Sequence, residues 1–524
     1  MSRFVLATLL LASAAEGISA WAAESAIPQT GDPGADYFAG ATPDPESLPG
    51  SGTPETVAPV STEAFGAVAS EADLSAAPSA KCDAKKMAAL KKQVATAYKG
   101  LFYENNFGYL CDPCYNDFHL GEGLKRNCLG NWGVLDLGGQ YRARLHNERH
   151  IRSFGLTGRN DDFLLHRTRL YANLEASERV RVFAEYIDAE SNYENFPPRN
   201  IEVNRSDLLN LFGDGKLLEG DCGDLWVRVG RQELLYGQQQ RLVSPLDWAN
   251  TRRTFEGVKA FWKGADWDLD AFWTRPVIIN PTHFDSADQH QEFSGAYATY
   301  KGIENRTTAL YALRYLDTDG PTPFEFNTFG GSLAGTQGAW LWDLEGAWQT
   351  GNFGANNHSA GFVTVGAGRK FDDHCWKPVL WAYYDWASGS NQIGNGFHHL
   401  FPLGHKYFGF MDLYGRRNIE DANFQLTFKP HEKLTVLAWH HVFFLENGGD
   451  VPYNINLSPF VTTVGGNKYL GQELDLLCTW QFHPRQDLVF GYSHFWHGSY
   501  YDTNPAVPFR GDADFFYTQY SINF

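Results

Sequence analysis

The chain ends in the ten residues FFYTQYSINF, numbered 515–524. Successive residues of a β-strand point to opposite faces, so Phe516, Thr518, Tyr520, Ile522 and Phe524 share one mostly apolar face. A strand of this kind fits a soluble sheet, whose apolar face packs in a core. It also fits a transmembrane β-barrel, whose apolar face meets lipid. The stretch therefore predicts an all-β fold. Whether that fold is a soluble sheet or a transmembrane barrel has to be decided from the rest of the chain.

The same alternation recurs from residue 131 onward. In GGQYRARL, residues 138–145, the polar side chains of Gln140, Arg142 and Arg144 share one face. In ELDLLCTW, residues 473–480, apolar side chains at alternate positions oppose acidic ones. A period of two residues predicts strands that have one apolar and one polar face.

Three features favour a membrane barrel over a soluble sheet. Tight turns are predicted at 176–179, 263–266 and 483–486, and long loops at 147–161, 188–205, 277–291 and 445–467. Short turns on one side and long loops on the other are typical of outer-membrane barrels, and apolar runs of about ten residues suit a tilted spanning strand. The ending in Phe524 resembles the closing strand that outer-membrane assembly machinery recognises. We therefore expect an antiparallel transmembrane β-barrel surrounded by outer-membrane lipid.

Eighteen strands are predicted. They lie at 133–146, 162–176, 179–190, 206–214, 225–234, 254–263, 267–275, 292–301, 305–316, 325–333, 338–350, 358–370, 377–388, 421–430, 433–445, 468–482, 485–497 and 511–524. An even number places both ends of the barrel on the periplasmic side. The strands at 206–214 and 325–333 have the weakest patterns, so sixteen strands are the alternative. Closure of the sheet removes the edges that an open sheet would expose.

Four segments are predicted along the chain. Residues 1–22 are read as a secretory signal, with Arg3 before an apolar core and an A-x-A cleavage site at the end. Residues 23–80 are rich in Pro, Ala, Ser and Gly and are read as a disordered linker. Residues 81–130 contain a short helix and a Cys-rich part, expected in the periplasm, and residues 131–524 form the barrel.

The composition narrows the classes of function. The formal net charge is −18, which argues against a nucleic-acid partner because phosphate contacts need clustered Lys and Arg. Aromatic residues make up 15% of the chain, which suits a sheet protein with aromatic girdles. The mean hydropathy of −0.37 is compatible with a barrel whose strands are apolar on one face only. No apolar run is long enough for a transmembrane helix.

The chain has seven cysteines. Because an exported protein meets an oxidising compartment, disulfides are predicted among Cys82, Cys111, Cys114 and Cys128, with the pairing left open. A zinc site formed by the last three with His119 is the alternative. Tyr115, not His, directly follows Cys114, so haem attachment is not indicated, and no cofactor motif is present.

Although the net charge of the chain is negative, several arginines lie close together in the stretch GRQELLYGQQQRLVSPLDWANTRRTFEGVKAFW, residues 230–262. The GRQ, the Arg- and Trp-bearing loop and the strand beginning FEGVK resemble the alginate export family of outer-membrane porins. The stretch FHHLFPLGHKYFGFMDL, residues 397–413, resembles a long-loop motif of the same family. The resemblance covers about residues 131–524 and implies a monomeric eighteen-stranded barrel. Its arginine-lined constriction would pass an acidic polysaccharide outward.

The candidate lumen residues combine basic and acidic side chains. They are Arg142, Arg144, Arg167, Arg169, Arg228, Arg231 and Arg253, with Glu185, Asp385, Glu473 and Asp475 as acidic counterparts. Only Arg231 carries over securely from the family motif, and Arg253 does so loosely. Strict alternation puts Arg231 on the face opposite Arg228, so either a bulge occurs near Gly230 or Arg231 lies above the lipid band. A structural ion pair is the alternative role for each arginine.

Other functions are weighed against the channel. His398, His399, His405 and Asp412 lie in a long aromatic loop and are interpreted as packing residues, so no metal site is predicted. Neither G-x-S-x-G nor H-E-x-x-H occurs, so an enzyme is not predicted. A general porin for small anions or nutrients is the main alternative. An outer-membrane enzyme and a soluble carbohydrate-binding β-protein rank lower, and a periplasmic scaffold is a further conceivable partner.

Overall fold

The computed structural model describes residues 82–524, so the predicted signal peptide and the whole predicted linker lie outside the described residues. The strands of the barrel, in chain order, are β1 Val134–Arg149, β2 Asp161–Ser177, β3 Val180–Asn192, β4 Asn204–Gly220, β5 Gly223–Gln232, β6 Phe255–Gly264, β7 Trp267–Ile278, β8 Gln291–Tyr300, β9 Arg306–Asp317, β10 Phe324–Gln337, β11 Trp340–Phe353, β12 Asn356–Lys370, β13 Val379–Ala387, β14 Ile419–His431, β15 Leu434–Phe444, β16 Tyr469–His483, β17 Gln486–His497 and β18 Ala513–Asn523. Two short additional strands, Asn127–Cys128 and Ser286–Ala287, pair with β1 and β7.

The eighteen strands close into one antiparallel barrel. Each strand pairs with the next along the chain, and β1 also pairs with β18, for example Tyr141 with Ile522. This confirms the predicted fold class and the larger of the two predicted strand numbers. No helix in the described part of the chain is long and apolar enough to cross a membrane.

The alternation of side chains gives the wall its two faces. Exposed apolar residues point outward, as Leu170 does in β2, Val182 in β3 and Val229 in β5. Polar residues one position away point inward and are buried, as Arg169 and Arg228 are. An apolar outer surface over a polar interior is the pattern that lipid on one side and a lumen on the other require.

The two ends of the barrel differ. The short-turn end carries two-residue connections at 178–179, 221–222, 265–266, 338–339, 432–433 and 484–485. The long-loop end carries the segments 150–160, 193–203, 233–254, 279–290, 388–418, 445–468 and 498–512. One connection at the long-loop end, 354–355, is itself only two residues long. A five-residue helix, Ser499–Thr503, lies in the last of the long segments.

Two of the long segments, 233–254 and 388–418, fold into the lumen and pair with each other; they are called the inner loops below. The main-chain N–H of Phe401 donates to Leu242 O at 2.9 Å, and that of Leu403 donates to Gln240 O at 2.9 Å. Val243 and Phe401 are buried at this junction. The largest buried apolar cluster of the described chain therefore contains loop residues as well as wall residues.

The N-terminal segment covers the short-turn end. Helix α1, Ala84–Ala95, is capped by Asp83, whose side chain accepts from the N–H of Lys86 at 2.8 Å. Further along, Lys125 donates from Nζ to Leu137 O in β1 at 2.5 Å and to Phe524 O just beyond β18 at 3.1 Å. The segment thus docks on the seam where the barrel closes.

The cysteines of this segment form one disulfide, between Cys82 and Cys114, while Cys111 and Cys128 keep exposed free thiols. The bond links the start of α1 to the Cys-rich part. Because Cys114 is oxidised in this way, it does not join Cys111, Cys128 and His119 in a zinc site here.

Candidate functional site in the barrel lumen

The predicted arginines of β1 and β2 hold one inner loop against the wall. Arg142 donates to Asp247 O at 2.7 Å and to Ala249 O at 2.8 Å. Arg167 donates to the same two carbonyl oxygens at 3.0 Å each. Charged donors to main-chain carbonyls give strong, directional hydrogen bonds. These arginines therefore position loop 233–254 across the lumen.

Arg144 contributes a contact of a different kind. Its Nη1 donates to Trp248 O at 3.0 Å, and its guanidinium lies 3.4 Å above the ring of the same tryptophan. Stacking of a planar cation on an indole adds attraction to the hydrogen bond. Trp248 in turn stacks on His405 of the other inner loop, with ring centroids 4.1 Å apart. Arg144 thus contacts one inner loop directly and is linked to the other through Trp248.

Asp247 of loop 233–254 forms ion pairs with two arginines. Its Oδ1 accepts from Arg167 Nη2 at 2.8 Å and also pairs with Arg252. Burial alone would raise the pKa of Asp247, but the charges of Arg167 and Arg252 outweigh it and hold that pKa below its usual range. The carboxylate is therefore ionised at neutral pH and neutralises part of the surrounding positive charge.

Two further predicted arginines are paired with acids on the lumen face. Arg169 Nε donates to Glu185 Oε1 at 2.6 Å, and Arg228 Nε donates to Asp214 Oδ1 at 2.7 Å. All four side chains are buried. A buried ion pair is strongly dependent on both partners, since removal of one leaves an uncompensated charge.

Three of the predicted acidic residues, one on β13 and two on β16, bind the second inner loop. Asp385 Oδ1 accepts from Arg416 Nη1 at 2.6 Å. Glu473 Oε1 accepts from the N–H of Met411 at 2.9 Å, and Asp475 Oδ2 accepts from that of Phe410 at 3.3 Å. These acids position loop 388–418 as the arginines position loop 233–254.

The structure corrects the prediction that Arg231 is a lumen residue. The pairing of β5 with β6 is regular through Gly230, so Arg231 shares the outward face with Val229. At the long-loop end its guanidinium binds Glu256 Oε1 at 2.6 Å and donates to Asp285 O at 2.8 Å. The absence of a bulge at Gly230 leaves the second sequence-based alternative, in which this arginine lies above the apolar band. Its role is to attach segment 279–290 to the wall.

Arg253 lies in the first inner loop together with two arginines outside the predicted set, Arg241 and Arg252. Arg253 Nη1 donates to Ser244 O and Pro402 O, each at 3.4 Å. Arg241 pairs with Asp343 and Glu345 of β11 at 2.8 and 2.9 Å, and Arg252 pairs with Glu233. Both missed arginines stand in the arginine-rich stretch, but no strand period tells which wall a loop residue reaches.

The loop histidines pack as aromatic residues. His405 Nδ1 lies 3.1 Å from Asp412 Oδ2, and its ring stacks on Phe410 with centroids 4.6 Å apart. His398 packs against Phe324 and Phe326 of β10. Within residues 82–524, no cluster of three or more His, Cys, Asp or Glu side chains is arranged to hold a metal ion.

A cavity of about 650 Å³ remains between the inner loops and the short-turn end. Nine basic side chains line it: Lys99, Arg142, Arg167, Arg241, Arg252, Lys406, Lys429, Lys433 and Arg485. Four acidic side chains line it: Asp247, Asp385, Glu432 and Asp487. The cavity is thus more basic than acidic in a chain whose net charge is −18.

Residues 134–507 match a protein family described as alginate export. No curated protein matches the chain. Among solved structures, the chain is similar to three Pseudomonas aeruginosa proteins. OpdO has a TM-score of 0.51 and 13% identity, over 74% of this chain and 97% of that one. OccK9 (OpdG) has a TM-score of 0.51 and 13% identity, over 74% of this chain and 98% of that one. OccD3 (OpdP) has a TM-score of 0.50 and 11% identity, over 74% of this chain and 91% of that one. At these identities the likeness concerns the barrel fold alone.

Proposed function

Because the chain belongs to the alginate export family and folds as an outer-membrane porin-like barrel, we propose that it is a channel for an anionic polysaccharide or another anionic solute. The observation that carries this proposal is the excess of basic side chains around the cavity. Local potential, not net charge, decides which ions enter a narrow aqueous path. The negative net charge of the chain is therefore compatible with an anion-selective lumen.

The basic side chains around the cavity have two different roles in the proposed channel. The buried arginines, such as Arg142 and Arg167, fix the inner loop and contribute a constant positive field. Lys99, Lys429 and Lys433 are exposed at the cavity and can meet a passing anion directly. An ammonium group in water binds a carboxylate without holding it for long, which a conducting path requires. A polymer of uronate residues would step from one such site to the next.

The test is ion selectivity in a planar bilayer. We expect the refolded protein to give an anion-selective reversal potential under a KCl gradient and to be blocked by an oligo-uronate. The variant Lys429→Gln/Lys433→Gln should shift the reversal potential toward zero and weaken the block. Lys263→Gln is the matched control, because Lys263 is exposed near the same end but does not line the cavity. A cation-selective or unselective wild type would contradict the proposal.

A general porin for small anions is the second candidate. The observation that favours it is that both inner loops fill much of the lumen and leave a cavity of about 650 Å³. In that case chloride and small carboxylates should permeate, while an oligo-uronate neither blocks nor crosses. Outer-membrane lipid surrounds the barrel in either case. We further propose a monomer without catalytic activity that is inserted by the outer-membrane assembly machinery.

A further inference from the structure

Residues 100–105 enter the lumen from the short-turn end. Their three largest side chains join an apolar cluster with three aromatic residues of adjacent strands: Leu101, Phe102 and Tyr103 meet Tyr171, Phe183 and Phe212. Tyr171, Phe183 and Phe212 belong to the lumen face of β2, β3 and β4. The N-terminal segment therefore fills part of the channel and does not merely cover its mouth.

The contacts of Phe102 and Tyr103 are close and specific. Phe102 lies 5.2 Å from the ring of Tyr171, and Tyr103 lies 5.1 Å from that of Phe212, both between centroids. The Tyr103 hydroxyl donates to Glu233 O of an inner loop at 2.9 Å. Aromatic pairs at this spacing attract beyond the area they bury. The segment thus binds both the wall and an inner loop.

Arginines surround the same site. The guanidinium of Arg169 lies 3.9 Å above the ring of Phe102, and that of Arg228 lies 4.3 Å above that of Tyr103. Arg181 Nη1 donates to Tyr103 O at 2.7 Å. The site therefore has cations that face aromatic rings and a main-chain oxygen of the segment.

Without residues 100–105, the wall would present three stacked aromatic rings bordered by Arg169, Arg181 and Arg228. Arg181 and Arg228 share one acid, Asp214, so their charge is only partly neutralised. Arg169 pairs with Glu185 and lies 3.9 Å from Glu233 and 4.0 Å from Asp247. Aromatic faces provide an apolar platform for a ring, and guanidinium groups bind carboxylates in a planar, bidentate way. This combination suits a sugar ring that carries a carboxylate.

We propose that residues 100–105 are a plug that occupies a lumenal site for an acidic sugar, and that an anionic saccharide competes with the plug for this site. The proposal rests on the proposed function for the class of saccharide. The plug is tethered on both sides, by Arg485 of the barrel, whose Nη1 donates to Val94 O of α1 at 3.1 Å, and by Lys125 at the barrel seam. Tethering keeps its effective concentration high, so the site refills when the saccharide leaves.

The first measurement is the open probability of single channels in a planar bilayer. Phe102→Ala/Tyr103→Ala should raise it, because the variant removes the rings that bind the wall and leaves the tether intact. Phe118→Ala is the matched control, since Phe118 belongs to the same segment but is 77% exposed. An open probability equal to that of the wild type would overturn the plug.

The second measurement is the affinity of the full chain for an oligo-uronate by isothermal titration. A site that is free only part of the time binds its ligand more weakly by that fraction, so the double variant should bind about tenfold more tightly or better. If the double variant has a raised open probability but binds the oligo-uronate as the wild type does, residues 100–105 would still be a plug, but the proposed sugar site would be overturned. No binding to either protein would overturn the uronate assignment of the proposed function as well. If the oligo-uronate blocks the wild type but the variant has the same open probability as the wild type, the plug would be overturned and the proposed channel function would stand.

A check on folding accompanies both measurements. Folded barrels migrate differently from heated ones on denaturing gels, which reports whether each variant has closed. If Phe102→Ala/Tyr103→Ala does not fold, Tyr103→Leu provides the milder change, because it keeps apolar bulk and loses the hydroxyl and the ring stacking. A smaller rise in open probability is then expected, and no rise would overturn the proposal.

Discussion

The carboxyl group of Asp285 lies in segment 279–290, outside the spanning strands. Burial and the neighbouring carboxylate of Asp207 raise the pKa of Asp285 to about 7. Its oxygens accept from Asn280 N and Asn204 Nδ2, each at 2.7 Å. A carboxyl with a raised pKa binds its proton more tightly in the folded state than in the unfolded state. Its contribution to stability is present below the unfolded pKa and is lost as the pH rises through about 7.

We therefore predict that segment 279–290 opens more readily at pH 8 than at pH 5. The measurement is amide hydrogen exchange of this segment at both pH values, after correction for the intrinsic exchange rate. Asp285→Asn should abolish most of the difference, because an amide does not titrate. Equal protection of the wild-type segment at both pH values would contradict the prediction.

For a residue in a strand, the period of two indicates the face of the sheet on which its side chain lies. Arg142 and Arg169 were placed on the polar face of their strands, and that face is the lumen. Their partners could not be predicted, because Arg142 binds main-chain oxygens of Asp247 and Ala249, and a carbonyl group carries no sequence signal. Arg231 shows the converse, since the strand period was correct and the family resemblance suggested the wrong face.

At the scale of the element, Gly230 allows β4 and β5 to pair closely. Its φ of +131° is unfavourable for residues with a Cβ, and an added Cβ would lie 2.2 Å from Leu211 O. We predict that Gly230→Ala lowers the free energy of unfolding by about 1–3 kcal/mol or reduces the folded yield. Urea unfolding in detergent micelles, followed by tryptophan fluorescence, measures the change.

Gly215→Ala in β4 is the matched control for this prediction. An added Cβ at Gly215 would meet nothing within 4 Å. We expect the control to unfold like the wild type. The argument from close strand approach would be wrong if the two alanine variants were equally stable.

The strands themselves could be predicted, including the two with the weakest patterns. The prediction at 206–214 corresponds to β4, Asn204–Gly220, and that at 325–333 corresponds to β10, Phe324–Gln337. Both observed strands extend past the predicted ends, and the last residues of β4 no longer alternate between buried and exposed. The partners of the inner loops could not be predicted, since they are residues of distant strands, such as Asp343 and Glu473.

For the whole molecule, an acidic chain surrounds a basic cavity. The selectivity of such a channel depends on fields that salt screens, and the Debye length falls from about 10 Å at 0.1 M to about 3 Å at 1 M. We predict that the anion-to-cation permeability ratio falls toward one as KCl rises across this range. Reversal potentials at a fixed concentration ratio measure it. A ratio independent of salt would indicate selection by pore size, and the basic lining would then not be its cause.

The contacts of Lys125 have a consequence for the order of assembly. This lysine reaches Leu137 O on the first strand and Phe524 O beside the last, so its binding place is complete only after the first and last strands have met. The part of the chain that leaves the ribosome early is therefore fixed late. A barrel left open at its seam lacks the anchor for its own N-terminal cover, so the docked cover reports that closure is complete.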